Sequence, residues 1–199
     1  MVNREVLSRG GMIGQTQNRT ECYIEMAGKA VAEYFSNYER LKELYEMILA
    51  DKGHIARCDV CYDVVDGVTI EEVKEAVLKG CVVSRSRQVR IVDSYENKIE
   101  GMESTGCTIY IGSRKSEKML RIYDKAKQQE EGGRKVRFEL QMRNDVAGEA
   151  LKKLTEGDEK GMAESIIGLI YAYVDFRERD NENVSRRSQL GWYQELVVE

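Results

Sequence analysis

Two periodicities alternate along the chain. Thr20 to Met26 puts Cys22, Ile24 and Met26 on one side and Glu21, Tyr23 and Glu25 on the other, the repeat of a strand ending at Ala27-Gly28. From Ala30 to Leu49 the apolar positions Val31, Tyr34, Phe35, Tyr38, Leu41, Leu44, Tyr45 and Ile48 take helical spacing, with a break near Ser36-Asn37. Residues 55 to 63 alternate again. Thr69 with Glu72 forms a capping box that opens a helix to Lys79, which Gly80 ends. Residues 82 to 92 alternate with arginines on one side. Three strands follow at hairpin spacing, Cys107 to Ile111, Met119 to Tyr123 and Val136 to Met142, with Gly112-Ser113 and Gly132-Gly133 in the turns. Residues 147–154 and 162–176 return to helical spacing, and Met162, Ile166, Ile170 and Tyr173 share a stripe. Residues 1 to 20, polar and Gly-rich, read as a loop. This order predicts an α+β fold with a mostly antiparallel sheet and helices packed on one face.

Alternation also sorts each strand into a greasy and a polar side. The greasy sets are Val60 and Tyr62, Leu120 and Ile122, and Val136, Phe138, Leu140 and Met142. The polar sets are Arg57, Asp59 and Asp63; Arg121, Tyr123 and Lys125; and Arg137, Glu139, Gln141 and Arg143. In a shared sheet these would gather carboxylates, guanidinium groups and a phenol on one face. Such a face reads in two ways. It is a solvated surface whose cross-strand charge pairs each contribute ~0.2–1 kcal/mol, or it is a site where carboxylates hold a hard cation, arginines bind phosphate and the tyrosine attacks phosphorus.

Charge narrows the choice. The chain of 199 residues carries a formal net charge of -4, which excludes a uniformly basic nucleic-acid binder. Between Ile111 and Arg143, however, ten Lys and Arg stand against five acids, a net of +5, leaving -9 elsewhere. Any contact with phosphate must be local. The chain has no Pro, so its turns are punctuated by glycine. Its five Cys, at 22, 58, 61, 81 and 107, read as free thiols of a cytoplasmic protein. No run approaches the ~18 apolar residues of a membrane span. Cys58-x-x-Cys61 lacks a second pair for zinc, and on a strand its two thiols face opposite sides. The one histidine, His54, cannot form a histidine-pair metal site. Trp192 and Tyr193 read as a terminal helix packing on the core rather than as base-stacking groups.

The stretch G-C-T-I-Y-I-G-S-R-K-S-E-K-M-L-R-I-Y-D-K-A-K (Gly106 to Lys127) with V-R-F-E-L-Q-M-R (Val136 to Arg143) resembles the Rep_trans family. These are replication initiation factors of rolling-circle plasmids, with related relaxases of integrative conjugative elements. A-R-C-D-V-C-Y-D (Ala56 to Asp63), Y-I-E-M-A-G-K-A (Tyr23 to Ala30) and N-V-S-R-R-S-Q-L-G-W-Y (Asn183 to Tyr193) extend the likeness in the same order. It implies nicking and rejoining of one DNA strand at an origin, single-stranded or cruciform, through a 5′-phosphotyrosine.

Carried over by position, Tyr123 is the nucleophile with Arg121 beside it. Asp59 and Glu139 are ligands of Mg²⁺ or Mn²⁺, and Arg114, Lys115, Lys125, Arg137 and Arg143 hold phosphates. Tyr110 competes for the nucleophile's role, and the motif with its flanking Arg121 and Lys125 favours Tyr123. The resemblance implies a host helicase and a second copy of the chain as partners, and no membrane. Family members carry a further stretch ahead of the segment that Tyr23 begins to match. The expectation is therefore a polar segment over residues 1–20 and a nickase-like domain over 21–199 lacking the family's N-terminal portion. Two further readings stand beside nicking for replication: a relaxase for conjugative transfer, and a non-catalytic DNA-binding remnant.

Overall fold

A computed structural model describes residues 3–6, 12–15, 22–26, 28–34, 37–129 and 132–196. They fall into two compact units, Met1–Gly53 and His54–Glu199. The first holds a three-stranded antiparallel sheet of β1 (Asn3–Val6), β2 (Met12–Gln15) and β3 (Cys22–Glu25), followed by helices α1 (Lys29–Tyr34) and α2 (Tyr38–Ala50). Strands β1 and β2 stand where the polar composition predicted a loop. Main-chain pairing, Asn3 with Gln15 and Met12 with Glu25 among others, supplies what alternation did not signal. The helix break came where expected: Asn37 caps α2, its Oδ1 accepting from the Glu39 N–H at 2.8 Å.

The second unit is built on β4 (Arg57–Val65), helix α3 (Ile70–Leu78), β5 (Val82–Ser84), β6 (Val89–Lys98), β7 (Gly101–Ile111), β8 (Lys118–Asp124), α4 (Lys125–Gln129), β9 (Lys135–Arg143), helices α5 (Asp145–Thr155) and α6 (Glu159–Tyr173), β10 (Val174–Phe176) and α7 (Gly191–Glu195). Five strands form one antiparallel sheet in the order β4-β9-β8-β7-β6, and β5 pairs with β10 apart from it. The predicted α+β class with an antiparallel sheet is the fold observed. The capping box is present, with the Thr69 Oγ1 accepting from the Glu72 N–H and the Glu72 carboxylate from the Thr69 N–H.

The predicted strand 82–92 is broken. Its first part belongs to the small sheet, its last to the large one, and the intervening Arg85–Gln88 loop is held by Ser84, whose hydroxyl donates to the Tyr173 carbonyl and accepts from the Ser86 N–H. Strands β6 and β7 run on past the reach of β8, which pairs only Thr108 to Ile111 of β7. Every residue from Val92 to Thr105 in that hairpin is exposed, so no apolar alternation announced it.

Register fixes the two sides of the large sheet. Leu120 opposes Leu140, Ile122 opposes Phe138 and Ile109, and Val60 opposes Leu140 from the other edge. All of these are buried, and α3, α5 and α6 cover that side with Val73, Ala147, Ala150, Leu151 and Ile170. Each large side chain so buried contributes roughly 1.5–3 kcal/mol. Tyr193, with Trp192 and Phe176, closes one end of this core, its hydroxyl donating to the Val174 carbonyl at 2.6 Å. The C-terminal aromatics thus pack as expected. Helices α3, α5 and α6 lie on the apolar side of this sheet, and the polar sets of the strands line the other.

Candidate active site

The polar side is a single register-matched surface. Directly opposed pairs across β4 and β9 are Arg57 with Arg143, Asp59 with Gln141, Cys61 with Glu139, and Asp63 with Arg137. Across β9 and β8 they are Glu139 with Arg121, and Arg137 with Tyr123. Across β8 and β7 they are Arg121 with Tyr110, and Tyr123 with Thr108; Tyr110 in turn opposes Arg90 on β6. The strands therefore bring Asp59, Arg121, Tyr123, Arg137, Glu139 and Arg143 onto one face, as alternation predicted.

At its centre, Glu139 takes two donors. Its Oε1 accepts from the Arg121 Nη2 and its Oε2 from the Tyr123 hydroxyl at 3.0 Å. The Glu139 side chain is only 12% exposed, so it is no solvated surface acid. Burial, with the charge of Glu139 and the hydrogen bond to it, pushes the Tyr123 phenol up to about 12, against the opposing pull of Arg137 and Arg121. The Arg121 Nε is buried without an acceptor among the described residues. Such a donor costs about 1–3 kcal/mol to leave unanswered.

The other arginines of this half are also engaged. Arg137 donates two bonds to Asp63, at 2.5 and 2.6 Å, which raises its already high pKa further. Arg57 does the same to Asp59, at 2.8 and 2.5 Å. With the Gln141 amide turned so that its oxygen faces them, the Arg143 Nε and Nη2 donate to it at 2.9 and 3.0 Å. The Arg137 guanidinium, expected at a phosphate, is thus tied to a carboxylate. Lys125 begins α4, with its Nζ 6.0 Å from the Tyr123 ring centroid and 3.0 Å from the Gln128 Oε1.

Arg114 and Lys115 lie apart, in the exposed turn between β7 and β8. Arg90 and the Arg85 and Arg87 loop were not among the predicted site residues. The signal was the R-S-R-x-x-R run from Arg85 to Arg90, and only the sheet shows that Arg90, opposite Tyr110, reaches the same face.

A hard cation needs oxygen ligands. Asp59 and Glu139 offer carboxylates on adjacent strands, offset by two residues, and each oxygen keeps a lone pair beyond the donor it already serves. The donor chemistry fits. No group of three or more His, Cys, Asp or Glu able to hold a metal exists among the described residues. Cys58 and Cys61 face opposite sides of β4, and burial raises both thiols, Cys58 to about 11. Cys58, Cys61, Cys81 and Cys107 are free, whereas the Cys22 side chain and Gly10-Gly11 lie outside the described residues. No helix among the described residues is long and apolar enough to cross a membrane.

Comparison with known proteins adds three findings. The family described as "Replication initiation factor" (Rep_trans) matches residues 53–198. The chain is 31% identical over 187 residues to the "Putative DNA relaxase NicK" of Bacillus subtilis (strain 168), a match covering 85% of this chain. The chain spans about half the length of that curated relative, 51%. Its fold is similar to that of a rolling circle replication initiator protein from Geobacillus stearothermophilus, with a TM-score of 0.76 at 22% identity over 94% of this chain and 76% of the other.

Proposed function

The chain belongs to the replication initiation factor family, and from that premise we propose that it cuts and rejoins one DNA strand at an origin through Tyr123, starting rolling-circle replication. The observation that carries this reading is the Tyr123 hydroxyl donating to a nearly buried Glu139 that Arg121 also holds, on the face of the sheet opposite α3, α5 and α6.

A phenol pushed up to about 12 is neutral at pH 7, so attack requires a base placed to take its proton. Glu139 is so placed. As the Tyr123 oxygen bonds to phosphorus, its proton passes to Glu139 and the bond from phosphorus to the upstream 3′ oxygen breaks. The released 3′ oxygen takes up a proton and leaves as a hydroxyl. Rejoining is the reverse, the 3′ hydroxyl attacking the phosphotyrosine, so one phosphodiester is always exchanged for another and its energy is conserved. Arg121 and Arg137, the two cations that favour the phenolate, stabilise charge as it develops on the tyrosine oxygen.

Asp59 and Glu139 would hold the Mg²⁺ or Mn²⁺, and the ion's chemistry when bound is to neutralise charge on the scissile phosphate. Arg114, Lys115, Lys125 and Arg143 hold flanking phosphates, and unwinding falls to a host helicase. The name of the curated relative, a DNA relaxase, favours a second use of the same chemistry in strand transfer.

The test is conversion of a supercoiled plasmid carrying the origin to open circles with Mn²⁺. Wild type is expected to nick and to remain bound to the DNA through denaturation, and a chelator to stop both. Nicking by Tyr123→Phe at the wild-type rate would refute the assignment, and origin binding without any nick would leave a DNA-binding remnant in its place.

A further inference from the structure

Tyr110 stands diagonally across the β7–β8 pair from Tyr123, on the same face. Directly opposite it on β6, Arg90 lays its guanidinium 4.5 Å from the ring centroid, and Arg114 brings a second one to 5.8 Å from the same ring. Neither arginine meets a carboxylate among the described residues. The Tyr110 hydroxyl makes no hydrogen bond among them either, so unlike Tyr123 it has no base to take its proton. The loop carrying Arg85 and Arg87 is fastened to the same end of the sheet, the Gly112 N–H donating to the Gln88 carbonyl at 2.8 Å.

Two cations against one ring, with no counter-charge, repel each other, and cation–π attraction offsets this only in part. Every arginine on the other half of the face has an acceptor; these two have an aromatic surface instead. A phenol ring and guanidinium planes are what unpaired bases stack on, and the free guanidinium edges donate to phosphate in a bidentate way.

We propose that Arg90, Tyr110 and Arg114 form a subsite for the unpaired nucleotide next to the scissile phosphate, its base stacked on the tyrosine and guanidinium surface and its phosphate held by the two arginines. The proposal takes only the position of the scissile phosphate from the reading of Tyr123 as nucleophile. It makes Tyr110 a base-binding residue and gives it no part in the chemistry.

The test is fluorescence anisotropy of the full chain with fluorescein-labelled oligothymidylate, the same strand annealed to oligoadenylate, and an abasic strand of equal length. Wild type is expected to bind the thymidylate about tenfold more tightly than the abasic strand, the scale of one stacked base. Tyr110→Leu loses that margin and leaves duplex binding unchanged, while Tyr110→Phe keeps it. Arg90→Gln makes the log–log salt dependence shallower by about 0.7, one phosphate contact on a single strand.

Equal wild-type affinity for the thymidylate and abasic strands overturns the stacking role without relying on any variant, and an unchanged salt slope in Arg90→Gln overturns the phosphate role. The two readings fail separately. A covalent adduct formed without Tyr123 on a residue other than Tyr110 removes the nucleophile assignment and leaves the stacking surface standing, an adduct on Tyr110 overturns both, and a Tyr110→Leu protein that binds single strands like wild type removes the subsite alone.

Discussion

The two halves of the polar sheet face handle positive charge in opposite ways. Toward β4 and β9, three guanidinium groups are each matched to a carboxylate: Arg57 to Asp59, Arg137 to Asp63 and Arg121 to Glu139. Toward β6 and the turn after β7, Arg85, Arg87, Arg90, Arg114 and Lys115 have no carboxylate partner among the described residues. A closed set of pairs holds side chains in place and adds little net field, which suits a reacting centre. An open set of cations attracts phosphate from solution and makes that attraction salt-dependent. Counting charge along the chain blurs this difference. The basic stretch from Ile111 to Arg143 includes Arg121 and Arg137, which are used internally, and omits Arg85, Arg87 and Arg90, which are not.

The largest expected effect lies in the closed half. Glu139→Gln removes the proton acceptor of Tyr123 while keeping its shape, and adduct formation should slow by about 10²–10⁴-fold, the usual worth of a placed base. Single-turnover kinetics on an origin strand would read this. A smaller effect separates the halves from the other side. Gly112 holds φ +105° at the base of the turn bearing Arg114, and a Cβ there would overlap the Tyr173 hydroxyl, which donates to the Ile111 and Lys118 carbonyls at 3.0 and 3.2 Å. Gly112→Ala should cost about 1–3 kcal/mol in thermal unfolding and weaken single-strand binding through the displaced turn.

Asp63→Asn would convert part of the closed half into the open kind. With Arg137 released, the salt dependence of single-strand binding should steepen by about 0.7, and stability should fall by about 1 kcal/mol, because the pair is about a quarter exposed. The smallest effect is one of pH. Folding raises the Tyr123 phenol from its ordinary value of about 10 to about 12, so the folded chain holds that proton more tightly than the unfolded one. Its share of stability is therefore complete below about pH 10 and lost as pH climbs toward 12. The melting temperature of Tyr123→Phe should fall less steeply across that window than that of wild type.

Much of the fold was legible because β4, β8 and β9 alternate cleanly, and a two-residue period leaves no doubt about which side chains share a face. Local signals also located the Thr69 capping box and the break before Tyr38. The hairpin from Val92 to Thr105 and the short strands β1, β2 and β10 were not legible. In the hairpin both sides of the strand meet water, main-chain pairing defines β1 and β2, and β10, whose Val174 and Phe176 are buried, continues the apolar spacing of the helix before it. The site divides in the same way. Asp59, Arg121, Tyr123 and Glu139 could be placed on one face from the sequence. That Asp63 claims Arg137, or that Arg90 stacks on Tyr110, depends on cross-strand register, which turn lengths and distant pairings set and no local pattern reveals.

In the proposed function Tyr123, with Glu139 as its base, is the residue that bonds to DNA. Wild-type protein trapped on an origin strand with Mn²⁺, digested with protease and nuclease and sequenced by tandem mass spectrometry, tests it most directly. The expected product is a nucleotide 5′-phosphate on the peptide containing Arg121, Ile122 and Tyr123, and on no other tyrosine. The same modification on Tyr110, or on any residue when Tyr123 is replaced by phenylalanine, would contradict it.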